Sequence, residues 1–211
     1  MIFRAILYCF VGTIGVYYLA IATDRVYAFF ARSTFNIADS VWVETGDILF
    51  RSNSYFLVEN GKWQHSGFPG HVAIIISEGH FSGNDPELGK IVIAEAAKFN
   101  RRKKRLQNDV SVNLASDNFG VSGRGKRILL KMHLSKEEKQ LLLRFLDHQI
   151  KKPYSLLADK YSQSEFNCAT LVWQSIFEST GKNLDWDEGY FVFPTDITKS
   201  SYFSETNWTV F

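Results

Sequence analysis

Apolar residues recur at helical spacing in the stretch EFNCATLVWQSIFESTG, residues 165–181. Asn167 is a favourable N-cap residue and Gly181 a favourable C-terminal cap, so we predict a helix between them with Cys168 in its first turn. Apolar residues spaced at i, i+3, i+4 and i+7 lie on one face of this helix, and we predict that this face packs into a core. These residues are Ala169, Val172, Trp173 and Ile176.

Alternating and β-branched runs predict strands in the rest of the chain. One strand is entered through a turn at Gly46 and Asp47, and another, typical of a central strand, is opened by His71. We expect the second to pair with the next strand as an antiparallel hairpin with a long loop. The predicted strands lie in residues 41–51, 70–77, 90–97, 126–133 and 190–197.

A second amphipathic helix follows the fourth strand. Ser135 and Glu138 form a capping box, and we predict a helix from there to about Ile150, before Pro153. Residues 106–125 are polar and contain glycine, so they are predicted to form a loop. These elements predict an α+β fold in which an antiparallel sheet packs against the helix that carries Cys168.

Residues 5–23 contain no charged side chain. A helix of this length spans about 28 Å, close to the hydrocarbon thickness of a bilayer, which predicts a signal peptide or a membrane anchor. Ala20 and Ala22 suit a cleavage site, nearby tyrosines and phenylalanines suit the aromatic belt of an uncut anchor, and a buried core helix is the third alternative. Either membrane reading places the rest of the chain in the cell envelope, outside the cytoplasm. The predicted organisation is a signal peptide or anchor at 1–23, a juxtamembrane linker at 24–40 and one domain at 41–211.

The composition suits one domain with a substantial core, since the 211 residues are 45% hydrophobic and 15% aromatic. The formal charge of +2 indicates no strongly charged partner. The basic run RRKKR at 101–105 is more typical of a solvated loop than of a contact with lipid head groups or a polyanion. No aromatic residues are interleaved with it, so we predict no nucleic-acid partner.

The chain has two cysteines, Cys9 within the apolar segment and Cys168. An exported domain would therefore hold Cys168 without a disulfide partner, which favours pairing between chains or a chemical role. The positive end of a helix dipole lowers a thiol pKa by about one unit, so a nucleophilic thiolate also needs an imidazolium beside it. The alternative is that Cys168 is a small buried apolar residue.

His71 heads a predicted strand, and Glu95 lies on the strand predicted to pair with it. A thiol, an imidazole and a carboxylate are the parts of a nucleophile, its base and the group that orients the base. Glu95 faces solvent instead if its strand exposes one side. A metal site from His65, His71 and Cys168 has no compact ligand spacing, so we predict no metal and no other cofactor. The other histidines lie in loops, after a strand or near a helix end: His65, His80, His133 and His148.

Six short motifs occur in a fixed order between residues 44 and 204. They are GDILFR at 46, GHVAIII at 70, VIAEAA at 92, PYSLL at 153, FNCATLVWQSI at 166 and FPTDITKSSYF at 193. Together they resemble the ordered signature of the circularly permuted NlpC-type, papain-like cysteine hydrolases of the YiiX/YebB-like group. In that group the strand with the histidine precedes the helix with the cysteine, the reverse of the order in papain.

This resemblance implies a permuted papain-like fold in which Cys168 is the nucleophile, His71 the base and Glu95 the residue that orients His71. The reaction implied is acyl transfer through an acyl-enzyme. The N–H of Cys168 and its helix N-terminus would stabilise the oxyanion. Tyr154 or Gln163 would add a side-chain donor.

Asp47 is implied to be structural, in a turn. The chain departs from the group at Ala169 and Thr170, where a Ser-Glu or Ser-Gln pair is frequent, and this difference concerns contacts at the helix end. The basic insertion at 101–125 has no clear counterpart in the group and is a candidate determinant of substrate choice.

Three functions are compatible with these residues. The first is a peptidase or amidase that acts on cell-wall peptides, as the resemblance to exported NlpC-type proteins implies. The second is a thioesterase or acyltransferase acting on lipids at the membrane, since permuted relatives such as the lecithin–retinol acyltransferase group act on acyl chains. The third is a non-catalytic binding or scaffold module of the envelope in which Cys168 is simply buried.

Overall fold

The computed structural model describes most of the chain after residue 40. The residues described are 41–51, 58–59, 62–63, 70–81, 90–100, 103–119, 127–202 and 208–210, with three positions before them, Gly12, Gly15 and Leu19. These three positions are helical, and the remainder of the predicted apolar segment lies outside the described residues. Within the described part of the chain, no helix has both the length and the apolar character that crossing a bilayer requires.

The fold is built on a six-stranded antiparallel sheet, so the predicted α+β class with an antiparallel sheet is confirmed. From one edge to the other, the strands of this sheet are β10 (Trp208–Val210), β9 (Arg127–Leu130), β2 (Ile48–Arg51), β5 (His71–Ile75), β7 (Val92–Asn100) and β8 (Arg105–Leu114). Two short antiparallel pairs stand apart from it: β1 (Val41–Val43) with β6 (Gly79–Phe81), and β3 (Val58–Glu59) with β4 (Lys62–Trp63).

β5 lies inside the sheet, between β2 and β7. Its residues Val72 to Ile75 are all fully buried, as the β-branched run predicts for a strand covered on both faces. The predicted pairing with the next long strand is confirmed by the partners Ile74 and Ala94. The connection between them contains β6, which leaves the main sheet to pair with β1.

In the described part of the chain after residue 40, four helices accompany the sheet, and the two long ones begin where the sequence predicts. Ser135 and Glu138 form both hydrogen bonds of the capping box, and Asn167 caps the helix that carries Cys168. The predicted C-terminal cap is also present, since Gly181 has φ +72°. The helices are α1 (Ala115–Phe119), α2 (Lys136–Gln149), α3 (Cys168–Thr180) and α4 (Pro194–Lys199).

The sheet is buried on both faces. One face carries Ile48, Val72 and Ala94 and packs against α2 and α3, which contribute Leu142 and Val172 to the same core. The predicted apolar face of α3 lies in this core, because Ala169, Val172, Trp173 and Ile176 are all buried. The second face is covered near α1, where Ala73, Ile93 and Phe119 form a separate cluster.

The prediction that residues 106–125 form a loop is wrong for residues 106–119, and residues 120–125 lie outside the described part of the chain. β8 and α1 occupy 105–119, and β8 pairs with β7 along its length. Leu106, Val110, Val112 and Leu114 do alternate, but β8 is an edge strand whose other face is polar, so the overall polarity of the segment hid the alternation.

The prediction of a strand at residues 190–197 is also wrong, because α4 begins at Pro194. Proline suits the first helical position, since it needs no hydrogen bond there and its φ is fixed near the helical value. Asp196 accepts a hydrogen bond from the N–H of Phe193 at 2.8 Å, which caps this helix. His80 belongs to β6 rather than to a loop.

Candidate active site

Cys168 is the first residue of α3 and the thiol around which the candidate site is built. The side chain of Asn167 accepts hydrogen bonds from the N–H groups of Ala169 and Thr170, both at 2.8 Å, and the N–H of Asn167 donates to Thr170 Oγ1. No hydrogen bond from the N–H of Cys168 to another described residue is present. The cap therefore uses the next two amides of the first turn and leaves the amide of Cys168 available.

His71 and Cys168 lie close enough that each shifts the pKa of the other. His71 is the first residue of β5, so its ring lies at the end of the strand, where α3 packs against β5. Its Nε2 is 2.6 Å from Glu95 Oε2, which leaves Nδ1 as the nitrogen for the sulfur. The Phe119 ring stacks on the imidazole with centroids 5.3 Å apart and limits its rotation.

The electrostatics of the pair favour the ionised forms. Burial raises the pKa of the Cys168 thiol, but the hydrogen bond and charge of His71 and backbone hydrogen bonds from Val72 and Ala169 outweigh it, and the pKa is lowered. Burial likewise opposes protonation of His71, but hydrogen bonds to Cys168 and Glu95 raise its pKa to about 8. A thiolate beside an imidazolium is the reactive form of such a pair.

Glu95 is fully buried and does not face solvent. It lies on β7 and points to the same face of the sheet as Ile93, where α1 covers it. Its Oε1 accepts hydrogen bonds from Asn113 Nδ2 at 2.8 Å and from Asn118 Nδ2 at 2.7 Å. The structure thus brings together Cys168, His71 and Glu95, the three residues that the sequence predicts for the site.

The two predicted side-chain donors differ in position. The backbone of Tyr154 forms a parallel β-bridge with that of Phe166, two residues before Cys168. Burial together with the charge of Cys168 raises the pKa of Tyr154 to about 12. Its hydroxyl is therefore protonated near the sulfur. Gln163 is exposed, its backbone carbonyl accepts from Lys152, and no hydrogen bond joins its side chain to Cys168 or His71, all of which are described residues.

Asp47 lies in the turn before β2, as the resemblance implies, and is 2% exposed. Its carboxylate accepts hydrogen bonds from the N–H of Glu44 at 2.9 Å and of Met132 at 3.2 Å, and it forms an ion pair with Lys131. These contacts join the turn to the end of β9, so Asp47 has a structural environment.

Among the described residues, one acidic cluster has the spacing of metal ligands. Asp185, Asp187 and Asp196 each place one oxygen within 4.8 Å of the others. Lys160 Nζ lies 2.8 Å from Asp185 Oδ2 and already neutralises part of this charge. The combination of His65, His71 and Cys168, which the sequence argues against as a metal site, includes His65, which lies outside the described residues.

Asn113 and Asn118 were missed by sequence reasoning. Asn113 lies on β8 and Asn118 on α1, both within the segment predicted as loop. The alternation of apolar residues in β8 identifies the strand, and polar residues on its opposite face then become candidates to face Glu95. The helix of five residues that carries Asn118 has no comparable signal in the sequence.

These side chains are a thiol, an imidazole and a carboxylate, the groups that acyl transfer by a thiol requires. No protein-family model matches this chain, and no curated protein matches it. A crystal structure of the metalloprotein YiiX from Escherichia coli O157:H7 is similar to it, with a TM-score of 0.49 and 14% sequence identity. The similarity covers 80% of this chain and 96% of that one.

Proposed function

We propose that this protein is a thiol hydrolase that cleaves an amide, such as one in a cell-wall peptide, through Cys168, His71 and Glu95. The observation that carries the proposal is the 2.6 Å contact of His71 Nε2 with the buried Glu95, together with the mutual electrostatic effect of His71 and Cys168, which lowers the pKa of the thiol and raises that of the imidazole. A cysteine that is merely buried in a core has its pKa raised by its surroundings.

The proposed reaction proceeds in two halves. The Cys168 sulfur attacks the amide carbonyl, a C–S bond forms, and the C–N bond breaks as the His71 imidazolium gives its proton to the leaving amine. A water molecule then attacks the thioester, neutral His71 takes its proton, and the thiolate leaves. The free N–H of Cys168 and the protonated Tyr154 hydroxyl are the donors available to the oxyanion.

The fold we propose is the circularly permuted papain-like one. In this chain the strand that carries His71 precedes the helix that carries Cys168, and the two elements pack together. We also propose that residues 5–23 act as a signal peptide or anchor, which would hold the domain in the cell envelope, outside the cytoplasm. N-terminal sequencing of the exported protein would distinguish a cleaved segment from a retained one.

A second candidate is a lipid-directed thioesterase or acyltransferase. The turn that follows Tyr154 exposes two consecutive leucines, Leu156 at 63% and Leu157 at 74%, and Tyr161 shortly after them at 66%. Exposed leucines beside a nucleophile suit an acyl chain or a lipid surface better than a polar peptide. This candidate uses the same three residues for the chemical step.

The test compares the full chain with its Cys168→Ala variant on peptidoglycan fragments and on phospholipid vesicles, with products and protein masses read by mass spectrometry. We expect a peptide product and an acyl adduct on Cys168 from the parent only. A released fatty acid or lysolipid supports the second candidate. Absence of product and adduct from both substrates contradicts both and leaves a non-catalytic binding or scaffold role.

A further inference from the structure

Glu95 is a charged group that the fold buries completely and holds from two sides. Its Oε2 contacts His71 Nε2 at 2.6 Å, and its Oε1 accepts from the amides of Asn113 and Asn118. Burial of a carboxylate without compensation favours the protonated form, whereas hydrogen bonds donated to it favour the anion. Since both amides bind Oε1, they leave Oε2 for the imidazole.

We propose that Asn113 and Asn118 are positioning residues that hold the Glu95 carboxylate in place toward His71, and thereby keep Cys168 reactive. The proposal rests on the proposed function, because it assigns the two amides a part in the same site. Both amides donate to Glu95 Oε1, so we expect their effect to pass through Glu95 and His71.

The orientation of Asn113 is fixed by its own neighbours. Its Nδ2 also donates to Gln107 Oε1 at 2.9 Å, and its Oδ1 accepts from Asn100 Nδ2 at 3.4 Å. With the amide oxygen engaged by Asn100, the Nδ2 group is the end that faces Glu95. The orientation needed for donation is therefore built into β7 and β8.

This network extends to the surface through the basic run. Asn100 Nδ2 also donates to Asp117 Oδ2 at 3.1 Å, and Lys103 Nζ lies 2.8 Å from the same oxygen. Asp117 is followed in α1 by Asn118, so the ion pair helps to hold the short helix that supplies the second amide. At least Lys103 of the run 101–105 thus has a structural role.

Other ionisable groups also approach the pair, and the experiment must separate them from Glu95. Tyr154 lies near Cys168, and the guanidinium of Arg51 lies 5.9 Å from the centroid of the Phe119 ring that stacks on His71. None of these contacts involves Asn113 or Asn118. Asn118 is adjacent in α1 to Phe119, so the experiment must separate an effect that passes through Glu95 from one that passes through the stacked ring.

The test measures the rate of iodoacetamide alkylation against pH in a Cys9→Ala background, where Cys168 is the sole thiol. We expect Asn113→Leu and Asn118→Leu each to move the midpoint upward by roughly 0.5–1 pH unit, because each removes a donor to the Glu95 anion. Asn183→Leu is the matched control. It removes the Asn183 acceptor from Trp173 Nε1, away from Glu95, and should leave the midpoint unchanged.

A double-mutant cycle with Glu95→Gln separates positioning from general structural damage. If the amides act through the carboxylate charge, Asn118→Leu should no longer move the midpoint when Glu95 is already Gln. Should the Leu variants fail to fold by circular dichroism, Asn113→Ala and Asn118→Ala, which add no volume, give the same reading.

Unchanged midpoints in folded Asn113 and Asn118 variants overturn the inference, and so do equal shifts with and without Glu95. A parent Cys168 that titrates like an ordinary thiol overturns it as well. If only the proposed function is wrong, the alkylation midpoint of Cys168 will still be low and will still shift in the Asn113 and Asn118 variants, but no substrate will be turned over.

Discussion

A single thiol at a helix start is not made reactive by the helix alone. The dipole contributes about 0.3–1 kcal/mol, and at most about 2, which is equivalent to roughly one pKa unit. The structure adds the His71 ring, placed by β5, and backbone hydrogen bonds from Val72 and Ala169. The largest opposing effect is the burial of Cys168, so the lowered pKa depends on His71.

Replacing His71 should return Cys168 to ordinary behaviour. In His71→Ala, we expect the midpoint of the alkylation profile to rise by at least about one pH unit, because both the hydrogen bond and the positive charge are lost. Alkylation at pH 6.5 should slow by roughly tenfold for each unit. His148→Ala is the control, since His148 is exposed and binds the Arg144 carbonyl. Equal rates in parent and His71→Ala would contradict the pairing.

The pH dependence of turnover follows from the same pair. The raised pKa of His71 means that the imidazolium persists up to about pH 8, and the lowered pKa of Cys168 means that the thiolate forms at lower pH than in an ordinary cysteine. Cleavage should therefore be fastest between the two ionisations and decline as pH rises through about 8, when His71 loses the proton that the leaving amine needs.

Glu95→Gln should shift that alkaline decline toward lower pH. It removes the negative charge of Glu95, one of the two groups that raise the pKa of His71, so the pKa of the ring falls toward its ordinary value. The measurement is kcat/KM across pH 5–10. A decline that stays at about pH 8 in this variant would show that Glu95 does not tune His71.

The three predicted residues were accessible from the sequence because each has a position that the pattern defines. Cys168 follows an N-cap, His71 opens a β-branched run, and Glu95 interrupts the apolar run that pairs with it. Their roles remain predictions until turnover is measured. Asn113 and Asn118 were not accessible, since nothing local distinguishes an asparagine that faces a buried carboxylate from one on the surface.

At the scale of elements, the residues at the start of α3 cap the helix and also fix the position of the thiol. Asn167 caps the helix, and by binding the N–H groups of Ala169 and Thr170 it leaves the amide of Cys168 available. Its Nδ2 also donates to the carbonyl of Ala158 at 3.3 Å, which ties the helix start to the turn after Tyr154. The cap therefore fixes where the thiol lies.

Asn167→Ala should cost about 0.5–2 kcal/mol of unfolding free energy, as loss of a cap does. It should also raise the midpoint of Cys168 alkylation, because the first turn is no longer held against His71. Ser135→Ala is the matched control, since Ser135 caps α2 with a complete capping box away from the site. It should cost a similar free energy in denaturant titration and leave the alkylation profile unchanged.

Elements with their own periodicity or caps were predictable, and those defined by tertiary contacts were not. α2 and α3 begin at the predicted residues because their caps are local. β8 was missed because it is an edge strand with one apolar face and one polar face, so the segment as a whole is polar. Asn113 lies on the polar face. Pro194 ends no strand because it begins a helix instead.

At the scale of the molecule, Asp47 connects parts of the chain that are far apart in sequence. Its carboxylate binds the N–H of Glu44 and of Met132 and pairs with Lys131, and its own carbonyl accepts from the N–H of Ile75 at 2.8 Å. β2, β5 and β9 are therefore joined by one buried residue, through its side chain and its backbone carbonyl.

Asp47→Ala should destabilise the fold by about 2–4 kcal/mol, because buried donors and a lysine lose their acceptor. Lys151→Ala, which removes an exposed ion pair with Asp109, should cost under about 1 kcal/mol. Both are measured by denaturant unfolding. Folded Asp47→Ala should keep the parent alkylation midpoint, and a large shift would mean that Asp47 also belongs to the site.

The order of the site residues along the chain has a consequence during synthesis. His71, Glu95, Asn113 and Asn118 all leave the ribosome before Cys168, and the helix that begins with Cys168 docks on a sheet whose inner strands are already made. Until that docking, the sulfur has no imidazole beside it and behaves as an ordinary, mostly protonated thiol. We therefore expect the thiol of the newly made chain to be less readily oxidised until about the last fifth of the chain has folded.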